Sequence, residues 1–285
     1  MTRERLWAEL RHQPVVVVAM VIASALIVSS LLVPFLSDLD VSEPRLSMRL
    51  EGPSWAGGEG GLLGTDSLGR DLLLRIMYGM RTSFLVGALA ALIGAVFGTF
   101  VGLVSGYFGG IGDAVLMRLT DIELAFPGIL LVMVLVTATG GGVGTLIVVL
   151  GLISWMLYAR VVRGAVLTLR TTELVTATIG LGATTRRTIF VHVLPNVAAA
   201  ATSLLAVTFA SLMLAEASLS FIGFGVRPPR ISLGAILSSG RDYLSTSWWI
   251  STFSGLFLLM GVLSTNLIGS WLHRITDPLT IRSGS

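Results

Sequence analysis

The sequence predicts an all-α, polytopic membrane protein with six transmembrane helices and both termini on the cytoplasmic side. Three observations carry that prediction. Of 285 residues, 54% are hydrophobic and only 12% charged, the mean hydropathy is +0.88, and the apolar residues gather into six long runs, in a chain with about half the charge of a soluble domain.

The first segment, 1–14, is charged and mildly amphipathic and is expected to be cytoplasmic. Residues 15–35 are an unbroken apolar run that rises about 31 Å as a helix, the thickness of the hydrocarbon core. A cleaved secretory signal has a shorter apolar region and a small-residue cleavage site. This run ends in Val-Pro-Phe, so it reads as a retained first transmembrane helix. Residues 36–82 form an extracytoplasmic loop, rich in glycine, serine and acids as far as Gly64 and helical in character from Asp66 to Arg81.

Residues 83–272 hold five further spans, at 83–108, about 116–138, 144–159, 197–224 and 248–272, and 273–285 form a cytoplasmic tail. The third span is the least regular. Its uncharged stretch, Ala125 to Ala138, is too short to cross, so it must borrow the preceding turns with Arg118, Asp121 and Glu123. Arg118 and Asp121, three apart, are expected to face each other, and Pro127 sits inside the span as a tolerated kink.

All nineteen basic residues are arginine. Eleven fall in segments placed inside by an N-in, C-in arrangement and eight in those placed outside, and the outer ones are offset by acids, so the positive surplus lies within. With a formal charge of only +3, the basic pI reflects loop arginines rather than nucleic-acid binding. The absence of lysine excludes a Walker-type nucleotide site and a Schiff base in this chain. The absence of cysteine excludes disulfides and thiolate metal sites, and no histidine and acid cluster suggests a metal.

The cytoplasmic loop 160–196 carries the most informative stretch, 170-RTTELVTATIGLGATTRRTIFVHVLPNV-197. Thr172 is placed to cap a short helix with Glu173 in its first turn, and Gly182 to end it. Arg186 and Arg187 follow, and Pro195 is expected in the first turn of the next span. Small residues on an exposed helix suit a close-fitting groove in a partner. The alternative is an ordinary surface helix.

This stretch resembles the cytoplasmic coupling motif of importer-type ABC permeases. The triplet falls on Thr176, Ala177 and Thr178, the glycine on Gly182, followed by Ala183, and the Leu-Pro on Leu194 and Pro195. The triplet's acid and second alanine are both threonine here, so no salt bridge from that acid carries over. The chain is also similar to the second permease subunit of dipeptide/oligopeptide importers in 63-LGTDSLGRDLLLRIMYGMRTSFLVG-87, 105-SGYFGGIGDAVLMRLTDIELAFPGILL-131, 158-YARVVRGAVLTLR-170 and 215-AEASLSFIGFGVRPPRISLGAIL-237.

The resemblance implies a type I ABC importer permease fold in the bacterial cytoplasmic membrane, a homologous second permease, two ATPases that hold the ATP and magnesium, and an extracytoplasmic substrate-binding protein. It places ATPase coupling on Glu173, Thr176, Ala177, Thr178, Gly182, Ala183 and Arg186, and assigns this chain no catalytic residue or cofactor.

Four residues are expected at a gate or along the path. Glu216 lies about 28 Å into its span, near the outer edge, where a carboxylate faces a pore, a partner or outer water. Asp66, Arg70 and Asp71 either pair with one another, rim the outer mouth or lie in a solvated turn. Arg160, Arg163 and Arg170 are expected to snorkel to the inner interface or to meet the ATPase. The competing functions are an ion-coupled secondary carrier, which needs ionisable groups near mid-membrane that this chain does not offer, and a permease for a non-peptide solute such as a metal chelate.

Overall fold

The computed structural model describes residues 13–36, 41 and 43–276. Residues 1–12 of the amino-terminal segment, 37–40 and 42 of the first loop, and 277–285 of the tail lie outside the described residues. Among the described residues nine α-helices of eight residues or more occur: α1 (Pro14–Leu36), α2 (Leu72–Phe108), α3 (Gly110–Leu124), α4 (Gly128–Ala138), α5 (Val143–Arg170), α6 (Glu173–Gly180), α7 (Leu194–Ile222), α8 (Leu233–Gly240) and α9 (Trp249–Thr276). No β-strand occurs among the described residues.

Among the described residues five helical stretches are long and apolar enough to cross a membrane, and the count reaches six if the bent pair α3 and α4 forms one span. That pair is where the structure departs from a simple kink. The two helices meet at 90° across a short break that holds Pro127. Proline cannot donate to the carbonyl four residues back, and here the chain turns instead of bending.

Span two starts earlier than its apolar run, because α2 already begins at Leu72. The Asp71 carboxylate accepts from the Leu74 amide at 2.9 Å and so supplies the cap that starts the helix. Span five is also longer than expected. A helical turn at Thr185–Arg187 and a π-turn at Thr188–Val193 lead into α7 without a break, giving a rod from Thr185 to Ile222. Pro195 therefore lies inside a rod rather than at its start. The π-turn re-registers the backbone just before the proline, Leu194 N–H reaching back to Ile189, and the Asn196 side chain donates to the His192 carbonyl at 2.6 Å.

The described residues form two compact units. One gathers those up to Ala88 with Leu135–Ile147 and Ala210–Ile268. In it, α1 buries Val16, Ala19, Ala23, Leu26 and Ser30, one face at helical spacing. The segment before α8 lies close on α2 and α7: a Cβ on Gly79 would stand 3.1 Å from Leu233 N, and one on Gly234 2.2 Å from Ala217 O.

The other unit holds Leu89–Val134, Val148–Phe209 and the described residues from Gly269 onward. Its centre is the contact of α2 with α5. Gly94, Gly98, Gly102 and Gly106 recur every fourth residue and so share one face of α2. Added Cβ atoms there would stand 1.9 Å from Ser154 Oγ, 2.3 Å from Trp155 O, 2.5 Å from Ala159 O and 2.8 Å from Val166 Cβ. Gly151 answers from α5, 2.8 Å from Ile93. Such small-residue faces let two helices touch backbone to backbone.

The stripe also brings polar groups of α3 and α5 together. Arg163 donates to both Asp113 oxygens at 2.6 Å, Arg160 pairs with Asp121, and Trp155 Nε1 donates to Glu123 Oε2 at 2.9 Å. Arg160 and Arg163 are thus engaged within the chain by acids of α3. Asp121 faces Arg160, and the expected Arg118 is exposed.

Gly98→Ala is expected to lower the thermal midpoint of the detergent-solubilised protein, since overpacking against backbone costs about 1–3 kcal/mol. Gly112→Ala, which meets nothing within 4 Å, is expected to leave it unchanged or slightly raised. Equal midpoints would remove the glycine stripe as the seat of this packing.

Candidate functional site

The segment after α5 is built from its threonines, one valine and one glycine. Thr172 N–H bonds to Leu169 O at 3.1 Å, and the Thr172 carbonyl accepts the first helical bond of α6 from Thr176 N at 3.1 Å. The Thr172 hydroxyl turns back to Leu169 O at 2.6 Å, so the expected side-chain cap is replaced by this backward bond. Glu173 is exposed in the first turn of α6, where a carboxylate meets the positive end of the helix dipole.

Thr176 and Ala177 are exposed and Thr178 is half-buried, and the Thr176 hydroxyl donates to Thr172 O at 2.9 Å. The helix ends at Gly182, with φ at +82°, while Ala183 N–H closes on Thr178 O at 3.2 Å, as in a glycine-terminated helix.

Val175 holds this helix in place. It is 1% exposed and belongs to a cluster with Tyr158, Val162 and Val166 of α5 and Ile189, Val193 and Val197 around the π-turn. Sequence reasoning passed over Val175. The available signal was an apolar residue within a helix of mixed apolar and polar side chains, ELVTATIG. Arg186 and Arg187 are exposed and, with Thr184 and Phe190, line an open hollow of about 350 Å³. Thr184 caps the turn, accepting from Arg187 N at 3.4 Å.

The four residues expected at a gate lie in the other unit, and each is engaged internally. Glu216 is fully buried; it reaches neither outer water nor an open surface. Ser83 donates to its Oε2 at 2.7 Å and Ser220 to its Oε1 at 2.6 Å. The serines in turn accept backbone N–H groups of the loop between α7 and α8, Leu233 onto Ser83 at 3.4 Å and Val226 onto Ser220 at 3.1 Å. The carboxylate is therefore the hub of a clamp joining α2, α7 and the entry to α8.

Asp66, 2% exposed, accepts from the Leu68 and Arg70 amides at 2.8 and 3.0 Å and from Arg70 Nε at 2.7 Å. Its Oδ2 also lies 3.1 Å from Nε of the buried Arg75, an ion pair whose N–H is not aimed at the oxygen. Asp71 caps α2 as described. Asp66 and Arg70 thus pair with each other within a folded knot, while Asp71 takes the Leu74 amide instead. Trp249 Nε1 fastens it to α9 by donating to Thr65 O at 3.1 Å.

Among the described residues no three histidine or acid side chains assemble into a possible metal site. What the geometry offers is a surface helix, anchored from beneath and rimmed by arginines, at the junction of two membrane-spanning stretches.

Residues 98–282 match the family described as "Binding-protein-dependent transport system inner membrane component". The chain belongs to this family. It is 36% identical to a di/tripeptide transport system permease protein, DppC, of Pseudomonas aeruginosa over 95% of this chain and 90% of that one. It is also 36% identical to a dipeptide transport system permease protein, DppC, of Haemophilus influenzae over 87% of this chain and 85% of that one. A solved structure of the MetNI methionine ABC transporter in an inward-facing conformation covers 72% of this chain and 98% of its own, at 20% identity and a TM-score of 0.59.

This inner-membrane component is thus a permease subunit with the type I ABC importer fold. The family match contains the whole segment from Arg170 to Val197 and Glu216 and leaves the Asp66 knot outside it.

Glu216→Ala is expected to destabilise the protein by about 1–3 kcal/mol for each serine hydroxyl left unpaired, and Glu216→Gln, which keeps one acceptor oxygen, by less. Thermal unfolding in detergent tests the ranking, and a Glu216→Ala protein as stable as wild type would show that the clamp holds nothing.

Proposed function

We propose that this permease forms half of the translocation path for di- and oligopeptides, paired with a homologous second permease. It takes substrate from an extracytoplasmic binding protein and is driven by two separate ATPases. The observation that carries the reading is the 36% identity to a di/tripeptide permease along 95% of the chain. The arginine-only basic set supports it, because a chain without lysine cannot build a Walker A site. ATP and magnesium then belong to the partner ATPases, and this chain has no catalytic residue of its own.

Under the N-in, C-in arrangement favoured by the arginine distribution, α6 lies on the cytoplasmic surface. Glu173, Thr176, Ala177, Thr178, Gly182, Ala183 and Arg186 present themselves there to the ATPase. The small residues let the partner's groove close on α6, and the threonines supply short hydroxyls where an acid would bring charge. When the ATPases close on ATP, the displaced α6 pulls on α5 and α7 through Val175. Glu216, Asp66, Arg70 and Asp71 serve the same path indirectly, by fixing the loops on which the binding protein would settle.

Reconstitution tests the reading directly. Proteoliposomes with the chain and its three kinds of partner are expected to take up a radiolabelled alanine dipeptide only with binding protein and ATP. Uptake by the chain alone under a proton or sodium gradient would overturn it in favour of a secondary carrier. Gly182→Glu is expected to abolish co-purification of the ATPases. Gly182→Asn, which tolerates positive φ, is expected to retain it. Because a Cβ at Gly182 meets nothing within 4 Å, loss in Gly182→Glu alone reports on the partner's groove.

A further inference from the structure

Helix α3 is attached in an unusual way. Among its residues only Thr120 is buried, and its large apolar side chains face outward, Ile111 at 85% exposure and Val115, Leu119 and Ile122 at about half. Leu116 alone packs against the cluster of Val101, Trp155, Met156 and Ala159. What ties α3 to the rest of its unit is a row of polar links. Asp113 takes the Arg163 fork on both oxygens, at 2.6 Å each, and also accepts from Ser105 of α2. Asp121 takes Arg160, and Glu123 takes Trp155.

Both ends of α3 are sharp corners. Gly109 and Gly110, both with φ at +65°, form the corner at which it leaves α2, and Pro127 lies in the 90° break before α4. A helix with glycine and proline breaks at its ends and little buried apolar surface takes its position from its links. Apart from the Ser105 bond to α2, those links lead to α5, whose last residue, Arg170, is three positions from the start of α6. The strongest is Asp113 with Arg163: it is bidentate, and its side chains are only 15% and 31% exposed. The Arg160 pair, at 44% and 54%, is more open to water and weaker.

We propose that the Asp113–Arg163 ion pair is a coupling joint, making α3 follow the ATPase-docking end of α5 so that breaking the pair separates ATP hydrolysis from transport. This rests on the reading of the chain as an ABC importer permease. The two residues come from different sequence motifs, the glycine-rich run before α3 and the arginine-rich end of α5, and the structure joins them across 50 positions. They are positioning residues: neither needs to touch substrate or nucleotide. The bidentate geometry fixes orientation as well as distance, so a rotation of α5 about its axis is passed to α3 as a displacement.

The test uses the complete importer in proteoliposomes, with labelled alanine dipeptide uptake and phosphate release measured together. Asp113→Asn and Arg163→Gln are expected to keep ATPase co-purification and hydrolysis while uptake per ATP falls roughly tenfold, the scale of one charge-assisted hydrogen-bonded pair. The exchanged double variant, Asp113→Arg with Arg163→Asp, is expected to restore most of the ratio. Unchanged uptake per ATP in the single variants overturns the proposal, as does loss of assembly in both or failure of the exchanged pair to rescue. A wild-type importer without ATP-dependent uptake would instead refute the underlying functional reading.

Discussion

The backbone contact between α2 and α5 is the constraint on which the rest of the unit that holds Leu89–Val134 and Val148–Phe209 depends. In a bilayer, apolar side chains gain little by leaving lipid for one another, so helices hold together through close packing and a few polar links. The four glycines from Gly94 to Gly106 supply the packing. They bring the α5 backbone within reach, place Arg163 beside Ser105 and Asp113, and leave Val162 and Val166 to receive Val175 of the coupling helix. Larger residues on that stripe would move α5 outward and take the arginine away from its carboxylate.

The two units use polar groups differently. Around Glu216 and Asp66 the carboxylates collect backbone amides, serine hydroxyls and arginines into closed knots. Burying a carboxylate is costly unless donors surround it, and here the donors are the Ser83 and Ser220 hydroxyls for Glu216 and the Leu68 and Arg70 amides with the Arg70 side chain for Asp66. Along α3 the polar groups instead form discrete links, each separable from its neighbours. The first arrangement suits a surface that must keep its shape, the second a segment that must be moved.

How much of this was legible in the sequence follows from the range of each interaction. The existence of the spans was readable because hydrocarbon thickness sets the apolar run each needs, but their lengths were not, since α2 and the rod from Thr185 to Ile222 run past their apolar stretches; helix α6 was readable because Glu173 and Gly182 mark its ends locally. The serine partners of Glu216 were not readable, since Ser83 lies 133 positions away. The Arg160 and Arg163 pairs were hidden for the same reason. The early start of α2 at Asp71 and the sharp turn at Pro127 were partly visible as a cap and a break, but the angle depends on what α3 is tied to. The glycine period of four was present in the sequence throughout and acquires meaning only once α5 lies against it.

The π-turn at Thr188–Val193 bears on the direction in which the coupling segment points. Each residue of an α-helix advances the side-chain direction by about 100°, and a π-turn holds one residue more than an α-turn over the same rise. The rod below Pro195 is therefore out of phase with the rod above it by about that angle. Ile189 and Val193, four apart and so on one face of the rod, both face the cluster around Val175, and Arg186 and Arg187 are left facing solvent. The direction in which the arginine-bearing end of the rod points is thus stored as a rotational offset worth one residue, placed just before Pro195.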